Sequence, residues 1–155
     1  MKTKMYIEGL VEVQRVFETL QMEIGDKKAR SKILIPAIKK AMNPVMIAAK
    51  QLSPDNTGAL DRSMKNLAKR PSNKDRKSKY IFKSDSVIGV VSAGVTKEQK
   101  NKYGKPDLRA IAQEFGSSHN PERAYLRPAL ETNVESVLTI LSAEIVNYID
   151  KFKRA

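Results

Sequence analysis

The segment PALETNVESVLTILSAEIVNYIDKFKR, residues 128–154, decides the class of fold. Its apolar residues Val134, Val137, Leu138, Leu141, Ile145, Tyr148 and Phe152 recur in steps of three and four. A helix turning once in about 3.6 residues places them on one face over about five turns. Pro128 stands where the first turn begins, a position that has no use for the amide hydrogen proline lacks. Lys151, Lys153 and Arg154 close the segment and complement the negative end of the helix dipole. A helix with one apolar stripe needs a surface to bury it against, so the remaining chain must supply that surface.

Working outward, residues 2–7 read as a short strand. From Gly9 a second stripe runs through Leu10, Val13, Phe17, Leu20 and Ile24. Gly25 is a stop signal and Asp26 an N-cap for the next helix. That helix carries Leu34, Ile38, Ala41, Val45, Ala49 and Leu52 on one face, with Pro36 and Pro44 interrupting it. Proline removes a hydrogen bond and crowds the preceding turn, which predicts a kink or break near Pro44. Residues 53–58 form a loop by their turn chemistry, and 59–63 a single helical turn. Residues 66–79 are polar, basic and aperiodic, and read as a flexible basic loop.

The period then changes. Residues 80–82 and 87–95 are rich in β-branched and aromatic side chains and are separated by Ser84-Asp85-Ser86, which predicts a β-hairpin. Residues 96–106 read as a second basic loop. Leu108, Ile111, Ala112 and Phe115 have helical spacing, so a short helix is expected, with a strand at Glu114-Phe115 as its alternative continuation. Together these elements predict an α+β fold: amphipathic helices packed on one face of a small antiparallel sheet, with a long C-terminal helix, in a single domain over residues 1–155.

Composition bounds the function. The 155 residues are 41% hydrophobic and 30% charged, ordinary for a globular chain, and contain no cysteine. Disulfides, thiolate metal sites and cysteine nucleophiles are therefore excluded. No signal peptide or membrane-length apolar run is present, which predicts a protein made in a cytoplasm and not bound to membrane. The formal net charge is +12. Between Lys65 and Arg109 stand ten lysines and three arginines against four acids, a net of +9. Such asymmetry favours a polyanionic partner, nucleic acid or an acidic protein surface. Lys65, Lys69, Arg70, Lys74, Arg76, Lys77, Lys79 and Lys83 are the candidate contacts, with Tyr80 placed to stack on a base. Without a groove-reading motif, any such binding is sequence-independent.

The residues offer little chemistry. The single histidine, His119, lies in the polar stretch 116–121, and one histidine cannot build a zinc site without cysteines. Gly104-Lys105-Pro106 lacks the pattern of a phosphate-binding loop. Pro106-Asp107 with Glu114 faintly resembles PD-(D/E)-x-K nucleases, but Phe115 and Gly116 stand where the lysine element is required. The expectation is a protein that is not an enzyme, with no cofactor and no metal.

Two motifs point further. The first is Pro54-Asp55-Asn56-Thr57-Gly58-Ala59-Leu60-Asp61-Arg62-Ser63, after a long amphipathic helix. The second is Gln113-Glu114-Phe115-Gly116-Ser117, followed by Arg123-Ala124-Tyr125-Leu126-Arg127-Pro128-Ala129-Leu130, which opens the last helix. Read as residues, Gly58 allows a tight turn at positive φ and Leu60 anchors it. Glu114 can pair with Arg123 or with Arg127, fixing the chain as it enters the helix. Tyr125 and Leu126 are expected under the sheet. In order and spacing the motifs resemble the tail-completion, or minor tail component, family of lambda-like siphophages. That family shows P-x-x-T-G-x-L-x-x-S, then E-F-G-T, then A-R-P-F-L-R-P-A. Ala124-Tyr125 replaces the usual Pro-Phe, and Ser117 the usual Thr.

The resemblance implies a structural virion protein at the head–tail junction or the top of the tail, made in the host bacterial cytoplasm. It implies a homo-oligomeric ring, a hexamer, touching connector, tail-terminator or tail-tube proteins and enclosing the phage DNA. Pro54, Thr57, Gly58, Leu60, Glu114, Phe115, Gly116, Arg123, Tyr125, Leu126, Arg127 and Pro128 are its motif or subunit-interface residues. A tail terminator of the same junction, and a non-specific DNA-binding accessory protein, are the alternatives.

Overall fold

The computed structural model describes residues 10–54, 58–94 and 109–155. The expected strand at 2–7, the second basic loop at 96–106, Thr57 and Asp107 lie outside them. The described elements are α1 (Leu10–Ile24), α2 (Asp26–Ala29), a π-helical turn (Arg30–Leu34), α3 (Ile35–Ala41), α4 (Asn43–Leu52), α5 (Ala59–Ser63), β1 (Lys65–Lys69), a 3₁₀ turn (Asp75–Lys77), β2 (Ile88–Ser92), α6 (Arg109–Phe115) and α7 (Leu126–Arg154). The architecture is α+β: helices pack on a small two-stranded antiparallel sheet, and a long helix ends the chain. The residues gather into two compact units. One comprises Met1–Ala41, Ala68–Gly89 and Glu135–Ala155, and the other Met42–Leu67 and Val90–Val134.

The first unit is built on the stripes of α1 and the later turns of α7. Leu20, Ile33, Ala37, Ile145 and Ile149 are buried together. Val13, Phe17, Ile24, Leu34, Leu141, Tyr148 and Phe152 pack around them. Lys40 bridges to Glu144 at 2.9 Å and lies 5.2 Å from the ring of Tyr148, a charged rim on an apolar core. Gly25 ends α1 at φ 87°, a left-handed conformation that glycine adopts without strain. Its amide donates to the Gln21 carbonyl at 3.0 Å. Asp26 is not the N-cap. Gly25 holds that position without a side-chain cap, and Asp26 is the first helical residue, where its carboxylate pairs with Arg30 and accepts from Gln21.

The helix expected after Gly25 forms in pieces. Pro36 has no amide hydrogen to give the carbonyl of Lys32, and its ring crowds that carbonyl. The chain widens into the π-helical turn just before it, with the Ile35 amide donating to the Arg30 carbonyl. The expected break near Pro44 falls at Met42, and Pro44 occupies the first turn of α4. The buried face also differs from expectation. Ala29, Ile33, Ala37 and Ala41 are buried, whereas Leu34 and Ile38 are half-buried and Leu52 is 50% exposed. Three small alanines and Ile33, four residues apart, line this face, and of them only Ala41 belonged to the expected stripe. Val45 and Ala49 are buried in the second unit as expected.

The sheet corrects the expected hairpin. β2 falls within 87–95, but its partner is β1 and not residues 80–82, which lie in turns. β1 begins the stretch read as a loop. Its side chains alternate exposed and half-buried with Asn66 and Ala68 inward and Leu67 outward between lysines. That is the reverse of the hydrophobic alternation that marks a strand.

Ile33→Ala should destabilise the protein by roughly 2–5 kcal/mol, the range for emptying a buried aliphatic site. Leu52→Ala should cost less than about 1 kcal/mol, as for an exposed side chain. Denaturant unfolding of the two variants checks the assigned face, and equal losses would contradict it.

Candidate functional site

The second motif forms one connected structure within the second unit. α7 begins at Leu126, and its first amides have no partner within the helix. Neither Ala124 nor Tyr125 has a side chain that could cap them. The cap comes from α6. Glu114, only 3% exposed, accepts the amides of Tyr125 at 2.8 Å and Leu126 at 2.9 Å on Oε2, and the amide of Arg127 at 3.1 Å on Oε1. A carboxylate there also faces the positive end of the α7 dipole.

Arg127 closes the arrangement. Its Nε donates to Glu114 Oε1 at 3.0 Å, and one terminal nitrogen donates to the Glu114 carbonyl at 2.8 Å and to the Glu122 carboxylate. Of the two arginines that could have paired with Glu114, Arg127 does so. Arg123 is held by its backbone, whose amide donates to the Gln113 carbonyl at 2.8 Å, and its side chain is exposed. Gly116 turns the chain between the two strips at φ 77°. A Cβ there would come within 3.1 Å of the Glu122 amide nitrogen.

Tyr125 is fully buried, and its hydroxyl donates to the Ala110 carbonyl of α6 at 3.3 Å. Burial, assisted by the nearby Glu114 charge, pushes that hydroxyl up to about 12. Leu126 and Pro128 are half-buried. Phe115 is not a core residue. It is 64% exposed, as is 57% of Ile111 one turn earlier, and the Arg127 guanidinium lies 5.1 Å from its ring centre.

The first motif is a separate turn in the same unit. Ser53 donates to the Lys50 carbonyl at 3.0 Å and to Asp61 at 2.6 Å, tying the end of α4 to α5. Gly58 precedes α5 at φ 70°, as its expected role requires, and its carbonyl accepts the Arg62 amide. Leu60 and Pro54 are half-buried, and buried Ser63 returns its hydroxyl to the Leu60 carbonyl at 2.7 Å.

The basic set divides by role. Lys69 pairs with Asp75 at 2.8 Å. Half-buried Arg76 donates to the carbonyls of Phe82, Lys83 and Asp85 at 2.8–3.3 Å, so its guanidinium organises the segment. Lys65, Arg70, Lys74, Lys77, Lys79 and Lys83 are exposed. The segment expected as a flexible loop therefore contains β1, a 3₁₀ turn and side-chain crosslinks.

Residues that sequence reasoning missed are Ser53, Glu122 and Ala110. Ala110 takes part only through its carbonyl, which carries no side-chain signal. Glu122 stood five residues from Arg127 in a polar stretch. Among the described residues no group of three His, Cys, Asp or Glu side chains could hold a metal, and His119 is exposed. Among them, too, no helix is long and apolar enough to cross a membrane. No family model, no curated protein and no solved structure matches the chain.

Burial alone would raise the Glu114 carboxyl, but the amides of Tyr125, Leu126 and Arg127 and the Arg127 side chain outweigh it, and the group is held below its ordinary 4.5. A carboxyl lowered on folding contributes stability that is complete above its unfolded value. That stability is lost as pH falls through the folded value. Glu114→Gln should therefore lower stability at pH 7 by roughly 1–3 kcal/mol, the scale of weakening the hydrogen bonds of a buried group. It should also flatten the stability profile below pH 4.5, where the native protein loses this contribution. Chemical denaturation of both proteins between neutral and acid pH checks the sign. Parallel profiles would contradict it.

Proposed function

We propose that the chain is a structural virion protein of a tailed bacteriophage that completes the top of the tail and helps join it to the head. In this reading copies of the chain form a closed ring, a hexamer, between connector and tail-tube proteins. The reading assigns no catalytic step. One observation carries it: two motifs resembling the tail-completion family occur in order along the chain, and their residues hold the chain where it turns into α4–α5 and α6–α7. Gly58 needs its positive φ, and Gly116 needs both its positive φ and the absence of a side chain beside Glu122. Glu114, Tyr125 and Arg127 join the two halves of the second motif. Motif residues that serve the local architecture leave exposed Phe115, Ile111 and Arg123 for contact with a neighbouring subunit. A ring built from one repeated subunit uses a heterologous contact that closes on itself.

The neighbouring role of tail terminator shares the same junction and is separated only by placement in an assembled particle. The assembly reading predicts that phage lacking this protein accumulate filled heads and unattached tails, visible by electron microscopy of lysates. Normal, infectious, firmly joined virions would contradict it.

A further inference from the structure

The segment from Arg70 to Asp85 lies wholly in the first unit and holds its charges in a particular arrangement. Its two acids are used internally. Asp75 accepts from Lys69, from the Ser72 hydroxyl at 2.7 Å and from the Ser72 amide at 2.9 Å. The Lys69 ammonium, with Ser72, holds the Asp75 carboxyl well below the usual carboxylate range. Asp85 accepts the Phe82 amide at 2.8 Å. The Arg76 guanidinium is spent on three backbone carbonyls of the returning chain. Five cations remain, Arg70, Lys74, Lys77, Lys79 and Lys83, all exposed and none paired with a carboxylate among the described residues. Beside them Tyr80 is 75% exposed, with the Lys79 ammonium 5.0 Å from its ring centre.

We propose that this turn is a prebuilt binding site for the phosphate backbone of nucleic acid, with Lys74, Lys77, Lys79 and Lys83 meeting phosphates and Tyr80 lying against a sugar or base. The inference stands on the turn itself and does not rest on the assembly role. A flexible lysine-rich loop would have to be ordered on binding. Here Arg76 and the two acids have already fixed the backbone, so the lysines are displayed without that entropic cost. The exposed aromatic favours nucleic acid over an acidic protein, because nucleic acid offers both phosphates and ring faces. An acidic peptide would use only the charges. Between Arg70 and Asp85 the only regular element is the three-residue 3₁₀ turn, so the site offers no helix or strand to read a groove, and recognition is expected to be independent of base sequence.

The test is fluorescence anisotropy of the full chain with a labelled random-sequence duplex and a labelled oligo-dT, over a series of salt concentrations. Binding should weaken linearly on logarithmic axes. Replacing Lys74, Lys77, Lys79 and Lys83 together by alanine should reduce the duplex slope by roughly 3–4, and Lys77→Ala alone by about 1. Tyr80→Ala should weaken oligo-dT binding roughly tenfold and change duplex binding less. Tighter binding to oligo-dT identifies a single strand as the ligand, and tighter binding to duplex identifies a double strand. An unchanged slope in the fourfold variant, with thermal unfolding like that of the parent, would overturn the proposal. So would displacement of DNA by polyglutamate at equal charge concentration, which would assign the turn to an acidic protein.

Discussion

One buried carboxylate sets the geometry of the chain's longest element. A helix of 29 residues begins at Leu126 without a capping side chain of its own, and Glu114 supplies the missing acceptor from another helix. The alternative is a buried helix terminus with amides facing no partner, at about 1–3 kcal/mol for each unsatisfied group. Because the same carboxylate also takes the Arg127 side chain, its charge is balanced where it is buried. Gly116, the Gln113 carbonyl and the Tyr125 hydroxyl are arranged around that requirement. Displacing α6 would uncap α7, and displacing α7 would strand a buried charge.

Much of the fold was legible because periodicity reports burial directly. The stripes of α1 and α7 and the stop at Gly25 follow from residue spacing, and α5 is the single turn expected. α6 forms where helical spacing placed it, but Ile111 and Phe115 of that spacing are exposed and its buried residues are Ala110 and Glu114. What was not legible has physical reasons. β1 turns Asn66 and Ala68 inward and Leu67 outward, so its pattern carries no hydrophobic alternation. Residues 80–82 have strand-like composition, but Arg76 and Asp85 hold the backbone in turns. Buried Ala29 and Ala37, which lie outside the expected stripe, are invisible to a search for large apolar side chains. In the site, the pairing of Glu114 with an arginine could be read from charge and position. The three amides could not, since backbone donors leave no trace in residue identity.

The two charged regions act in opposite ways. Around Glu114 the charges are buried or paired and hold structure in place. In the turn between Arg70 and Asp85 the acids and one arginine hold the backbone, and the remaining cations face solvent. Location of charge is thus more informative than the net +12.

The central structural claim is that Glu114 caps α7, and native-state hydrogen exchange of the Leu126 and Arg127 amides tests it most directly. The first amides of an uncapped helix exchange nearly as fast as those of an open chain. The account predicts that these two are protected to the level of amides in the middle of α7. Exchange at the unprotected rate, in a protein whose Ile145 and Ile149 amides remain protected, would contradict it.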